Sequence, residues 1–193
     1  MFYEIIISTA LVLFVFFILK SWYIKHFYSV KIRSEIDGKE YLVRNDSRAQ
    51  ETADTLAEIN SRLSKLVEAL DDKTPGPFKK NAVLLKSRYT GNIVENIDLV
   101  DTSYTLNKDE INFCLKTRDS EEKVYDINLL TFVAIHELAH VGCFSIGHGD
   151  EFKGVFKYLV KNAVANGLYK FKDYSKNKEE YCGIVIDSTP DLN

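Results

Sequence analysis

The chain has 193 residues, 46% hydrophobic and 27% charged, enough to bury one core and too few for two ordinary domains. Only 9 Gly and 3 Pro occur and nothing repeats, which excludes collagen-like, solenoid and wholly disordered architectures. Residues 1–33 hold four basic groups and one acid, so the remainder carries a net charge of −6, the wrong sign for general binding to a phosphate backbone.

At the amino terminus, residues 5–19 (IIISTALVLFVFFIL) are uncharged, and Phe2, Tyr3, Trp22, Tyr23 and Ile24 extend the apolar run around Lys20. About 20 such residues span a bilayer as a helix. Trp22 and Tyr23 suit the lipid interface, and no small-x-small cleavage site follows. The expectation is an uncleaved transmembrane helix over residues 1–25, with the lipid bilayer as a partner. Lys20, Lys25, Lys31 and Arg33 all follow it, so the positive-inside rule predicts a single-pass membrane protein with a cytosolic carboxyl-terminal domain. Cys114, Cys143 and Cys182 are too few and too dispersed for a disulfide framework and fit a reducing compartment. The glycosylation sequon at Asn45 matters only in the opposite orientation.

Residues 26–45 read as a juxtamembrane segment and hairpin, with Asp37-Gly38 between two β-rich runs. Asp46 or Ser47 then opens a helix to about residue 70, whose Ala49, Ala53, Leu56, Ile59, Leu63, Leu66 and Leu70 form a core stripe. Pro75-Gly76-Pro77 breaks the chain before a shorter helix over 78–89. Residues 102–107 and 110–117 alternate as strands around Lys108-Asp109. Asp126 or Asn128 opens a helix of about 16 residues that is apolar nearly all round and therefore runs through the core. Past Asp150 and Glu151, which suit the cap of a further helix, Phe152, Val155, Phe156, Leu159, Val160 and Ala163 make another core stripe.

Within the apolar helix lies HELAH: His136, Glu137 and His140. The i, i+4 spacing puts both imidazoles on one face, a turn apart, as two nitrogen ligands of one zinc ion require. Glu137 is the candidate catalytic base. Left unpaired in an apolar helix, such polar groups would cost about 1–3 kcal/mol each. Eight residues on, Gly147-His148-Gly149 allows a turn back towards the helix, making His148 the third candidate ligand. Three protein ligands and an open fourth position describe a catalytic zinc; Cys143 or Cys182 as a fourth ligand would make it structural. Glu151, Glu179 and Glu180 are alternative third ligands, and Tyr181 and Tyr89 are candidate oxyanion donors. The segment 110–117 is a candidate strand to pair with an extended peptide substrate.

HELAH followed by GHGDEF resembles the SprT-like and WLM metallopeptidases, specifically over residues 125–169. Over much of the remaining chain, IDGKEYLVRN, CLKTRD and the DYSKN and EYCGI segments resemble membrane-anchored WLM-like metallopeptidases of large DNA viruses. The resemblance implies an α+β fold: a compact zincin-like domain over residues 46–193, its HExxH helix packed on a small sheet and preceded by one transmembrane helix. It implies Zn2+ held by His136, His140 and His148, Glu137 as general base, and a protein or peptide substrate. The membrane would be that of a host or a virion. Characterised SprT-like and WLM members cleave proteins crosslinked to DNA, but the anchor and the acidic domain depart from them and argue against nucleic acid. The expected function is thus a membrane-anchored zinc metalloendopeptidase, and the alternative is a non-catalytic, membrane-tethered interaction module with a structural zinc.

Overall fold

The computed structural model describes residues 6–7, 9, 11–19, 28–71, 76–98 and 102–192. Around Gly38, whose φ of +71° suits a residue without Cβ, the chain folds β1 (Ser29–Arg33) back onto β2 (Glu40–Arg44) as the expected hairpin. Asp46 accepts the Arg48 amide at 2.9 Å just ahead of α1 (Ala49–Ala69), and the predicted stripe from Ala49 to Leu70 is buried. There follow α2 (Lys79–Arg88), β3 (Ile93–Glu95), β4 (Tyr104–Leu106), β5 (Glu110–Phe113), α3 (Ile127–Gly142), α4 (Asp150–Ala165), β6 (Glu179–Tyr181) and β7 (Ile184–Ile186).

The domain is α+β. A three-stranded sheet has the order β3-β5-β4, with β3 parallel and β4 antiparallel to the central β5. Ile111 and Phe113 of β5 are buried. The apolar α3 is the central element, packed against α1, α2, α4, β4 and β5. Its neighbours cover it on most sides, which is why the sequence is mostly apolar outside His136, Glu137 and His140.

A buried ionic cluster fastens the hairpin to this body. Lys116, past the end of β5, lies 2.6 Å from Asp46 Oδ2 and 3.0 Å from Glu95 Oε1. Glu95 also accepts the Arg44 backbone amide at 2.6 Å, which ties β2 to β3. Burial pushes the Asp46 carboxyl up, but hydrogen bonds from Lys116, Arg44 and the Arg48 amide outweigh it and hold the group below its ordinary value. For Glu95 burial wins over Lys116 and Arg44, and its carboxyl lies above the ordinary value.

Two expectations are corrected. No helix among the described residues is long and apolar enough to cross a membrane, which overturns the transmembrane helix over 1–25 and the single-pass membrane placement built on it. Residues 1–5, 8, 10 and 20–27 lie outside the described residues. Second, Cys114 and Cys182 form a disulfide across 68 residues of sequence, because the fold brings the end of β5 beside the turn of the β6–β7 hairpin. Sequence spacing carries no trace of that approach, so the reading of the three cysteines as too dispersed for disulfide pairing is corrected at this one pair.

Two outcomes follow from this packing. A Cβ on Gly142 would meet Leu85 Cγ at 2.8 Å, and Leu85 is fully buried. Overpacking of about 1–3 kcal/mol against a helix-propensity gain of up to about 1 kcal/mol leaves Gly142→Ala less stable by roughly 1–2 kcal/mol. The check is a lower denaturant midpoint at unchanged m-value. Asp46, with its lowered folded pKa, contributes stability above its unfolded pKa of about 3.9 that is lost as pH falls through the folded value. Asp46→Asn is expected to unfold more readily than the wild type at pH 7, with the gap in urea midpoint closing below about pH 4.

Candidate metal centre

The centre is built on α3. Asp126 accepts the amides of Asn128 and Leu129, fixing the helix start. Ten residues inside lie His136 and His140, one turn apart with ring centroids 5.2 Å from each other. Their burial is partial, and between them Glu137 is 5% exposed.

His148 reaches them because of how α3 ends. The last carbonyls of a helix lack intrahelical donors, and here the end is buried against α2 and the β4–β5 turn. Arg88 Nη1 donates to the carbonyls of Val141 and Cys143, at 3.0 and 3.1 Å, and Asn81 Nδ2 to that of Gly142 at 2.9 Å. Lys108 Nζ donates to Cys143 and Ser145, at 2.5 and 2.6 Å. The two cations also sit at the negative end of the helix dipole. Beyond them Glu151 reaches back from the first turn of α4 to accept the amides of Phe144 and Ser145 and the Ser145 hydroxyl. These bonds, the Ser145 hydroxyl's foremost, hold its carboxyl down to about 2. Gly147 then turns at φ +83° and delivers His148 over α3.

The three imidazoles converge nitrogen to nitrogen. His148 Nε2 lies 3.1 Å from His136 Nε2 and 3.2 Å from His140 Nε2. Beneath them, Phe152 stacks on His140 at 4.3 Å between centroids and meets His148 edge-on at 4.6 Å. Burial, then the neighbouring His140 and His148, push His136 down to about 3; burial, then His148 and Lys108, push His140 down to about 4. Both rings are therefore neutral at pH 7, with lone pairs available. Tetrahedral zinc with Zn–N of about 2.0–2.1 Å sets its nitrogens about 3.3 Å apart, so the residues fit such an ion. Among the described residues these three form the one group of His, Cys, Asp and Glu side chains close enough to share a metal.

The triad opens into a cleft of about 1380 Å³, which Glu137 also lines. Burial raises the Glu137 carboxyl to about 7, against the lowering effect of a hydrogen bond from Thr105. Thr105 Oγ1 lies 2.8 Å from Glu137 Oε2 and 3.1 Å from its carbonyl oxygen. It faces inward from β4 because alternation sends Tyr104 and Leu106 out to solvent.

The remaining candidates fall elsewhere. Glu151 is committed to the 144–145 turn, Glu179 pairs with Lys172, and Glu180 is exposed on β6. Cys182 is in the disulfide, and Cys143 is a buried thiol pushed up to about 11 by burial and then Glu151. Tyr181 lines the cleft, but its hydroxyl donates to the Cys114 carbonyl at 2.7 Å and contacts Ser103. Tyr89 donates to Asn60 of α1 at 2.8 Å and does not line the cleft. The strand expected to pair with a substrate, β5, has β3 on one side and β4 on the other; β4 is the outer strand at the cleft. Sequence reasoning missed Thr105, Asn81, Arg88 and Lys108, which lie far from HELAH in sequence and match no motif.

No family model matches the chain, and no solved structure matches it. It is 33% identical over 192 residues to uncharacterized protein R325 of Acanthamoeba polyphaga mimivirus, covering 95% of this chain and 94% of the relative. It is 30% identical over 162 residues to uncharacterized protein 136R of Invertebrate iridescent virus 6, covering 80% and 88%. Uncharacterized protein 042R of Invertebrate iridescent virus 3 is 45% identical over 97 residues, 48% of this chain and 58% of the relative. The extent of the first two likenesses shows that the chain belongs to a family of proteins of large DNA viruses that includes the mimivirus and iridescent-virus proteins.

Proposed function

We propose that the protein is a zinc-dependent peptidase. The observation that carries this reading is the convergence of three imidazole nitrogens, two of them on half-buried rings whose surroundings favour the neutral form, beside a buried glutamate in an open cleft. The likeness of HELAH and GHGDEF to the SprT-like and WLM metallopeptidases supports it. His136, His140 and His148 would hold the zinc, with no fourth protein ligand among the described residues. When bound, zinc supplies the Lewis acidity that activates water and polarises a carbonyl.

The protein's own groups supply the proton transfer and the alignment. Thr105 holds Glu137 at Oε2, leaving Oε1 to take a proton from the attacking water and return it to the leaving amine. A carboxyl whose pKa has been raised by burial suits both halves of that exchange near neutral pH. β4, on the outer side of its sheet, offers main-chain groups along which an extended peptide can lie across the cleft. The cleft is mostly apolar, with Phe132, Val133 and Phe156 at its floor.

The full chain is expected to carry about one zinc per molecule by elemental mass spectrometry, and His148→Ala to lose it or bind it at least about 10-fold more weakly. Zinc retained in that variant would remove His148 from the ligand set. Glu137→Gln is expected to keep its zinc and to lose about 10²–10⁴-fold in cleavage of a denatured protein substrate. Equal cleavage by wild type and variant would reject the catalytic reading and favour a zinc that serves the fold alone.

A further inference from the structure

We propose that the Cys114–Cys182 disulfide is a redox latch on one wall of the cleft; the proposal rests on the peptidase reading for its consequence, though not for its test. With the bond closed, the β6–β7 hairpin and the residues after it are held against the mouth of the metal centre. With the bond open, that wall swings free.

The hairpin depends on few attachments. Its strands are three residues each and form a two-stranded sheet of their own, joined neither to β4 nor to β1–β2. Such a ribbon is marginal by itself. Its ties to the body run through Glu179, paired with Lys172, through Tyr181, whose buried ring meets Tyr125 and whose hydroxyl reaches Ser103 and the Cys114 carbonyl, and through Cys182, by its amide to the Tyr125 hydroxyl at 2.8 Å and its sulfur to Cys114. At the far end Thr189 accepts the Tyr174 amide and donates to the Lys172 carbonyl. Between these two anchors, Ile184, Val185 and Asp187 face the cleft with His136 and Glu137.

Cys182 occupies a position that suits another residue type. It and Gly183 are the two turn residues of the hairpin, with φ of +48° and +81°, the sign pattern of a type I′ turn. Gly, Asn or Asp take the first of these positions readily, whereas a cysteine brings a Cβ into left-handed backbone. The bond to Cys114 is what this side chain contributes there.

The disulfide also has a cavity of its own beside it. Cys114 borders a separate cavity of about 270 Å³, lined by Lys116 and Arg118 among others. A dithiol reductant entering there would donate two electrons and two protons, the S–S bond would break to give the thiols of Cys114 and Cys182, and the reductant would close its own disulfide.

The test uses the full chain purified without reductant. Alkylation under denaturing conditions should label Cys143 alone, and all three cysteines after treatment with dithiothreitol. Hydrogen exchange of the native protein is then followed by mass spectrometry in segments 176–191 and 127–142. Reduction is expected to accelerate the first about ten-fold or more and leave the second unchanged. The Cys114→Ser/Cys182→Ser variant should match the reduced protein and ignore dithiothreitol. Unchanged exchange in 176–191 on reduction, three free thiols at the outset, or equal acceleration of both segments would each overturn the latch, the last showing a staple of the whole fold. Zinc content measured on the same samples judges the metal centre separately, since the exchange result does not depend on metal.

Discussion

The arrangement depends on a helix that ends inside the protein. A buried helix terminus must find donors for carbonyls that have none within the helix, and α3 finds them in Arg88, Asn81 and Lys108, drawn from α2 and from the β4–β5 turn. Meeting that requirement shapes residues 143–148. Once Glu151 has gathered the amides of Phe144 and Ser145, the chain can only turn at Gly147, and His148 arrives over the face that carries His136 and His140. The same contacts explain Gly142, whose missing side chain lets Leu85 of α2 approach the helix end.

Burial sets the chemistry of the centre as well as its shape. It lowers His136 and His140 and raises Glu137, so all three groups favour their neutral forms more than they would in water. The cluster of Lys116, Glu95 and Asp46 shows the other response to burial. There the charges are kept and paired, and they join the hairpin, β3 and the end of β5 into one body. Glu95 lies above and Asp46 below its ordinary value because the first is more deeply buried and the second has more donors.

Much of the fold was legible in the sequence because the signals were local. Asp37-Gly38, the stripe from Ala49 to Leu70, the cap at Asp126 and the stripe from Phe152 to Ala163 are each a matter of neighbours or of one helical period, and the structure has an element at each. The amino-terminal run reads as a span on hydropathy alone, and no helix among the described residues is long and apolar enough to cross a membrane. The disulfide was invisible for the opposite reason: Cys114 and Cys182 are brought together by the docking of a hairpin on the end of a strand, and pairing across 68 residues has no local signature.

By itself the sequence determined the residues that meet at the candidate centre. The i, i+4 period of a helix fixes His136 and His140 on one face whatever surrounds them, and the glycines about His148 mark where the chain is free to return. Tertiary structure alone decided that His148 does return, that Thr105 rather than a nearby residue holds Glu137, that β4 rather than β5 borders the cleft, and that Glu151, Cys182 and Tyr181 are occupied with other partners. The physical reason is that a period or a turn is a property of consecutive residues. The partner of a buried polar group is set by which distant segment packs beside it, and no short stretch of sequence contains that information.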